Sequence, residues 1–175
     1  QLARGRDSLN RRGPSHPDPA LAAFLDRAYR SFAKPEWIHP DPLELVRRYA
    51  DPEDREVAGL VCATLALGGV AVILRSAGTV LDALGERPAR NLARETDARL
   101  RTRLEGFRHR FFDGGDLAAL LGAVRDLREE SGGLERVFVD GDDGSEADYA
   151  RAASALVRAL VARARGRRPP SRNPP

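Results

Sequence analysis

The sequence of 175 residues has few of the side chains from which disulfides and metal sites are built. Cys62 is its single cysteine, which excludes both a disulfide framework within the chain and a thiolate metal site, and fits a reduced, cytoplasmic setting. His16 and His39 each lie beside a proline, and no two histidines have the i, i+4 spacing of a helical metal site. No metal ligand, cofactor or catalytic residue is therefore assigned.

Long apolar segments are also absent. The first 19 residues contain no hydrophobic stretch of the kind found in signal peptides, and no run of about 18 apolar residues occurs anywhere in the chain. The pattern therefore indicates neither secretion nor a membrane span. The acidic segment 140–148, DGDDGSEAD, fails the EF-hand spacing because Gly144, Ser145 and Arg151 occupy ligand or glycine positions, so an acidic turn is expected.

Lysine is nearly absent as well, and the basic charge is unevenly placed. Lys34 is the only lysine, and the other 28 of 29 basic residues are arginines, which reflects either a GC-rich genome or selection for phosphate binding. Residues 20–150 carry 18 basic and 24 acidic side chains, whereas residues 151–175 carry seven arginines and no acid. The body is acidic, and the high isoelectric point comes from the two ends.

The periodic segments repeat at 3.6 residues and begin with a common signal. Asp18-Pro19, Asp41-Pro42 and Asp51-Pro52 each combine a capping carboxylate with a proline suited to the first helical turn. We expect the helices over 51–67 and 70–84 to pack as a hairpin around Gly68-Gly69, with Cys62 buried. Residues 89–105 are charged and weakly periodic, which predicts one or two short helices.

Two further helices are expected toward the carboxyl end. One is capped by Asp116 and ends at Ser131-Gly132-Gly133, and the last runs through Leu156 and Leu160. The only strand-like stretch is 137–139, too short to build a sheet. We expect an all-α, bundle-like single lobe over residues 18–162, after a flexible segment 1–17. The arginine- and proline-rich tail 163–175 is expected to be disordered and to add affinity for polyanions.

The stretch FRHRFF, residues 107–112, has two interpretations. In the first, Phe107 and Phe111, four residues apart, anchor the core and the intervening arginines remain in water. In the second, aromatic and basic residues form a nucleic-acid surface shared with the hairpin tip. The candidate nucleic-acid-binding residues are Arg99, Arg101, Arg103, Arg108, His109, Arg110, Gly68 and Gly69.

Two of these stretches carry a family resemblance. The run DPEDRE, residues 51–56, leads into the apolar helix pair, and the FRHRFF corner leads into a leucine-rich helix. Together they resemble the amino-terminal half of the bacterial family catalogued as domain of unknown function 2400, over roughly residues 18–160. The carboxyl-terminal half of that family resembles the helix-hairpin-helix DNA glycosylases. The resemblance thus implies an all-α lobe and DNA as a partner.

The sequence departs from the family pattern at two places. Members usually carry polar or basic residues where this chain has Gly69 and Val72, which weakens an expectation of contacts by the hairpin tip. The family also continues beyond the proline-rich segment into a Pro-Leu-Asp-x-His motif, so we expect this chain to be an amino-terminal fragment. Lys34, beside Pro35, is better explained as a partner of a helix dipole than as the activated lysine of a lyase. Catalysis by this chain alone is not expected.

Two functions follow from these patterns. The resemblance and the arginines of residues 99–110 favour a nucleic-acid-binding lobe, whereas the acidic body favours a helical scaffold or protein-interaction domain. Phosphate binding makes affinity fall steeply with salt, and an apolar protein interface responds weakly. The first function is preferred because the family resemblance outweighs the composition.

Overall fold

The computed structural model describes residues 18–142, 144 and 149–167. The chain divides into two compact units between Ile38 and His39. In the first unit, helix α1 (Pro19–Phe32) begins where Asp18 Oδ1 accepts a hydrogen bond from Ala20 N at 2.9 Å. A 3₁₀ turn (Pro35–Trp37) follows it. The expected start and stop of α1 are confirmed, but none of its residues is buried, so its predicted apolar stripe is not part of a core.

The second unit contains α2 (Leu43–Val46), α3 (Pro52–Thr64), α4 (Val70–Leu84), α5 (Pro88–Leu92), α6 (Asp97–Arg103), α7 (Gly114–Ser131), α8 (Leu134–Asp140) and α9 (Ala150–Ala164). A two-stranded antiparallel hairpin, β1 (Arg108–His109) and β2 (Phe112–Asp113), lies between α6 and α7. Within the described residues this is the only sheet. The all-α prediction is confirmed.

The core forms around α7, which contacts α5, α6, α8 and α9, while α3 packs against α2, α4 and α5. Leu121 and Val124 of α7 meet Leu81 of α4 and Leu92 of α5 in one apolar cluster. Such side chains stabilise the fold because each removes a large apolar area from water. None of the helices in the described ranges is long and apolar enough to cross a membrane.

Residues 137–139, strand-like in the sequence but too short to build a sheet, lie within helix α8, which packs against α7 and α9. The predicted start of helix α7 is wrong. Helix α7 begins at Gly114 rather than after Asp116: Asp113 is the N-cap, and its carboxylate accepts from Asp116 N at 2.9 Å. The Asp116 carboxylate in turn accepts from Asp113 N at 3.0 Å, which completes a capping box.

The motif DPEDRE joins α3 to its neighbours. Asp51 caps α3, and the buried Asp54 accepts a hydrogen bond from Ala89 N at 2.8 Å, which fixes α5 against α3. Glu56 accepts from the backbone of Leu134 and Glu135 at the start of α8. The motif noted in the sequence thus has an architectural role, and through Asp54 it positions α5 with Arg90 and the flanking Arg87 and Arg94.

The carboxyl end of α9 extends further than expected. Arg163 lies in its last turn and pairs with Glu130, and Arg167 Nη1 is 2.6 Å from Asp97 Oδ1. The predicted tail was to begin at residue 163, but 163–167 make these contacts because acidic side chains of α6 and α7 face them. Residues 168–175 of that tail, and the segment 1–17, lie outside the described residues.

Cys62 is buried, with 5% of its surface exposed, and free of any disulfide, as the sequence predicts. Its Sγ lies 3.6 Å from Pro42 O as a weak donor. Burial raises the pKa of the thiol to about 11, above the value of about 8.5 in an unfolded chain. The raised pKa means that the folded state favours the neutral thiol. The free energy of unfolding therefore keeps its full value below about pH 8.5 and decreases as the pH rises toward 11.

We therefore expect Cys62 to resist alkylation until the domain unfolds. At pH 8 a thiol of this pKa is about one part in a thousand ionised, and the thiolate is the reactive form. Iodoacetamide should modify the native protein at least about a hundredfold more slowly than the guanidine-unfolded protein, as followed by mass spectrometry. Equal rates in the two states would show that the cysteine is accessible.

Candidate functional site

The corner FRHRFF is a β-hairpin. In its antiparallel register Arg108 pairs with Asp113 and His109 with Phe112, which leaves Arg110 and Phe111 in the turn. Phe107 and Phe112 pack against the core, whereas Phe111 is 85% exposed. The prediction that Phe107 and Phe111 both anchor the core is therefore wrong for Phe111, because it assumed helical spacing where the chain turns back as strands.

His109 lies in the interior of the domain. It is 3% exposed, and its Nδ1 lies 2.9 Å from Ser76 Oγ on α4. This buried placement differs from the surface position expected of a nucleic-acid-binding residue, so the prediction for His109 is wrong. The alternation of side chains along a strand explains the difference, since Arg108 points to solvent and His109 to the core.

Arg110 lies in the hairpin turn between β1 and β2, and its side chain reaches the turn that precedes α4. It has a positive φ of 54°, and its guanidinium contacts Gly68, where an added Cβ would come within 2.5 Å of Nη2. Gly68 itself has a φ of +115°, a region that glycine adopts without a steric penalty. The structure thus brings Arg110 and Gly68 together, as expected for a surface shared with the tip. A side chain at position 68 would displace the guanidinium.

The three arginines of α6 have different surroundings. Arg103 donates to Glu95 Oε1 at 2.8 Å and to Ala83 O at 3.3 Å, and Arg101 donates to Arg167 O at 2.7 Å. The guanidinium of Arg99 has no hydrogen bond or ion pair within the described ranges. Of this predicted trio, Arg99 is the one with all its donors available to a ligand.

The predicted basic cluster is divided along helix α4. Arg110 contacts Gly68, just before the first residue of α4, and Arg103 contacts Ala83, in its last turn. A rise of 1.5 Å per residue separates the two ends of this helix by about 20 Å. The arginines 99–110, close in sequence, therefore belong to two regions of the surface.

Arg99 and Arg103 line a groove that was not predicted from the sequence. Two adjoining cavities of about 360 and 440 Å³ share Asn91 and Arg94. The side chains that line them and carry charge are Arg87, Arg90, Arg94, Arg99, Arg103, Asp82, Glu86 and Glu95. We call this surface, between the end of α4 and helices α5 and α6, the arginine groove. Five arginines face three carboxylates in it.

Of the five guanidinium groups in the groove, only that of Arg103 forms an ion pair within the described residues. Glu95 is held by Arg103, and Asn91 Nδ2 donates to Leu84 O at 2.8 Å, which fixes the floor of the groove. No ion pair of Arg87, Arg90 or Arg94 occurs within the part of the chain that the structure describes. These three have spacings of three and four residues, a signal that could have placed them on one helical face before the structure was known.

Metal ligands are not grouped anywhere in residues 18–142, 144 and 149–167: no three His, Cys, Asp or Glu side chains could together hold an ion. What the arginine groove can do chemically is bind an extended anion. Its guanidinium groups present parallel N–H donors, which match the oxygens of phosphates and carboxylates.

Comparison with known protein families gives a match for the chain. A family model whose description is "protein of unknown function (DUF2400)" matches residues 41–172. The matched range includes the arginine groove, the hairpin and the motif DPEDRE. No curated protein and no solved structure matches the chain.

Proposed function

Because the chain belongs to the DUF2400 family, whose description assigns no activity, we propose a function from its surface: the arginine groove binds the phosphate backbone of a nucleic acid. The observation that carries this proposal is the set of four arginines, Arg87, Arg90, Arg94 and Arg99, that line one groove without acidic partners among the described residues.

The charge pattern supports a nucleic acid as the anion. Five arginines face three carboxylates in the groove, so the guanidinium groups there repel one another, and a bound polyanion removes this repulsion. Each phosphate that an arginine neutralises releases condensed counterions, which supplies sequence-independent affinity. The expected resemblance of the family's carboxyl-terminal half to helix-hairpin-helix DNA glycosylases also favours this ligand and forms part of the proposal.

We expect the triple change Arg87→Gln, Arg90→Gln, Arg94→Gln to weaken DNA binding about tenfold or more at 0.1 M salt. The slope of log affinity against log salt should flatten by about two to three contacts, because each lost phosphate contact removes about 0.9 from it on duplex DNA. Fluorescence anisotropy over a salt series measures both quantities. The melting temperature should change little, since all three side chains are exposed.

A matched control removes the same charge elsewhere. Arg27, Arg30 and Arg158 are exposed and lie outside the groove, so their change to glutamine tests bulk charge alone. If the control triple weakens binding as much as the groove triple, the groove is not the binding surface.

The second candidate function is a protein-interaction module, and the first unit favours it. Leu21, Phe24, Leu25, Tyr29 and Phe32 of α1 are all more than half exposed. A partner held on such a stripe is bound by apolar burial, so its affinity changes little with salt. The same salt series distinguishes the two functions, because only phosphate binding gives a steep slope.

A further inference from the structure

The most exposed of the large apolar side chains in the described residues is Phe111, in the hairpin turn. A phenylalanine that is 85% exposed leaves nearly all of its apolar area in water. Single exposed apolar residues are common and need no explanation by themselves. Phe111 differs from such residues because its neighbours in the chain are anchored to the fold.

The residues around Phe111 are anchored on both sides. His109 is buried against Ser76, Phe112 packs on the core, and Asp113 caps α7. Arg110, directly before Phe111, has the positive φ that non-glycine residues rarely adopt, and strained backbone of this kind persists where the surroundings impose it. The fold therefore holds Phe111 out from the surface rather than leaving it on a loose loop.

Two cationic side chains lie close to Phe111 in the chain, one residue and three residues before it. The guanidinium of the exposed Arg108 has no hydrogen bond or ion pair among the described residues, and the Arg110 guanidinium lies on Gly68. An exposed aromatic ring with arginines nearby in the chain is a combination by which proteins bind single-stranded nucleic acids, since bases stack on the ring and phosphates pair with the guanidinium groups. An apolar protein partner gains nothing from these two charges, which it would have to desolvate.

We propose that Phe111 stacks on an unpaired base, so that the ligand of this domain is single-stranded or locally unpaired nucleic acid. The inference rests on the proposed function of the arginine groove. The turn lies at one end of α4 and the groove at the other, about 20 Å apart. At about 3.4 Å per stacked nucleotide, a strand of about six nucleotides reaches both sites.

The test compares a 12-nucleotide single strand carrying 2-aminopurine with a blunt 12-base-pair duplex, at one salt concentration and over a salt series. Phe111→Ala should weaken single-strand binding roughly 5- to 150-fold, abolish the quenching of 2-aminopurine, and leave the salt slope unchanged. Phe111→Trp should restore both affinity and quenching, because tryptophan also offers a stacking face. Duplex binding should be nearly the same in all three proteins.

The matched control is Phe24→Ala, which removes an exposed aromatic ring from α1 and should leave both ligands bound as in the parent. If Phe111→Ala binds the single strand as tightly as the parent while the groove triple is weakened, stacking is overturned and the proposed function stands. If the parent binds neither ligand, the proposed function fails with it. A change in self-association with Phe111→Ala, without a change in binding, would identify the turn as a protein contact and also overturn stacking.

Discussion

Replacing Gly114 by alanine is expected to destabilise the domain strongly, because the added Cβ would clash with backbone atoms. Gly114 is the buried first residue of α7, and a Cβ added there would lie 1.9 Å from Leu104 O and 2.8 Å from Leu104 C. Both atoms belong to the backbone at the end of α6, which cannot move aside as a flexible side chain does. Relief of the clash requires α6 and α7 to separate, and the core between them to open.

The expected loss of unfolding free energy is about 3 kcal/mol or more, out of the 5–15 kcal/mol that holds a typical domain together. Urea denaturation followed by circular dichroism measures it. Gly78→Ala is the matched control, because Gly78 lies within α4 and an added Cβ meets nothing within 4 Å. It should stabilise the helix by up to about 1 kcal/mol. If the two variants unfold at the same urea concentration, Gly114 does not lie against the backbone of Leu104 in the folded protein.

The second large effect is expected at Glu56, where one carboxylate joins three helices. Glu56 Oε2 accepts from Arg128 Nη1 at 2.9 Å and from Leu134 N at 3.1 Å, and Oε1 accepts from Glu135 N at 2.9 Å. The Arg128 side chain is 12% exposed and that of Glu56 22%, so the pair is only partly screened by water. The carboxylate holds α7 and the start of α8 against α3.

Glu56→Ala should therefore cost about 2–4 kcal/mol. The change leaves two backbone N–H groups of α8 without their acceptor and the Arg128 guanidinium with one carboxylate fewer, each a loss of a charge-assisted hydrogen bond. The cost stays below that of breaking a fully buried ion pair, because Glu53 Oε2 still lies 2.7 Å from Arg128 Nη2. Thermal and urea unfolding measure the difference.

A surface ion pair in the same region provides the comparison. Asp140→Ala removes the partner of Arg136 at the other end of α8, where both side chains are more than half exposed, and should cost no more than about 0.5 kcal/mol. Glu56→Gln should give an intermediate loss, since an amide oxygen keeps an acceptor without the charge. Equal costs for Glu56→Ala and Asp140→Ala would show that Glu56 is not a structural link.

Helix ends set by local chemistry could be predicted from the sequence. An aspartate before a proline satisfies a backbone N–H two residues later whatever surrounds it, so Asp18 and Asp51 start helices as expected. Gly85 ends α4 at the predicted residue, and this end is also set locally, because Gly85 adopts a φ of 82° that residues with side chains disfavour. These interactions span a few residues and do not depend on the fold.

The hairpin could not be predicted in the same way. Phe107 and Phe111 have a spacing that suits one face of a helix, and nothing local to FRHRFF contradicts that interpretation. Strand pairing was selected because it buries His109 against Ser76 on α4 and Phe112 against the core, and both partners are distant in sequence. Tertiary packing overrides a short-range pattern when it buries more of the chain.

The sequence by itself determined the helical class, several helix ends, the burial of Cys62 and the family, because these depend on neighbours along the chain and on composition. Only the tertiary structure decided which arginines share a surface. Helix α4 places Arg110 and Arg103 at opposite ends, while Asp54, through Ala89, fixes α5 so that Arg90 and the flanking Arg87 and Arg94 line the same groove as Arg99. Charges act through space rather than along the chain, so a binding surface is defined once helices have packed.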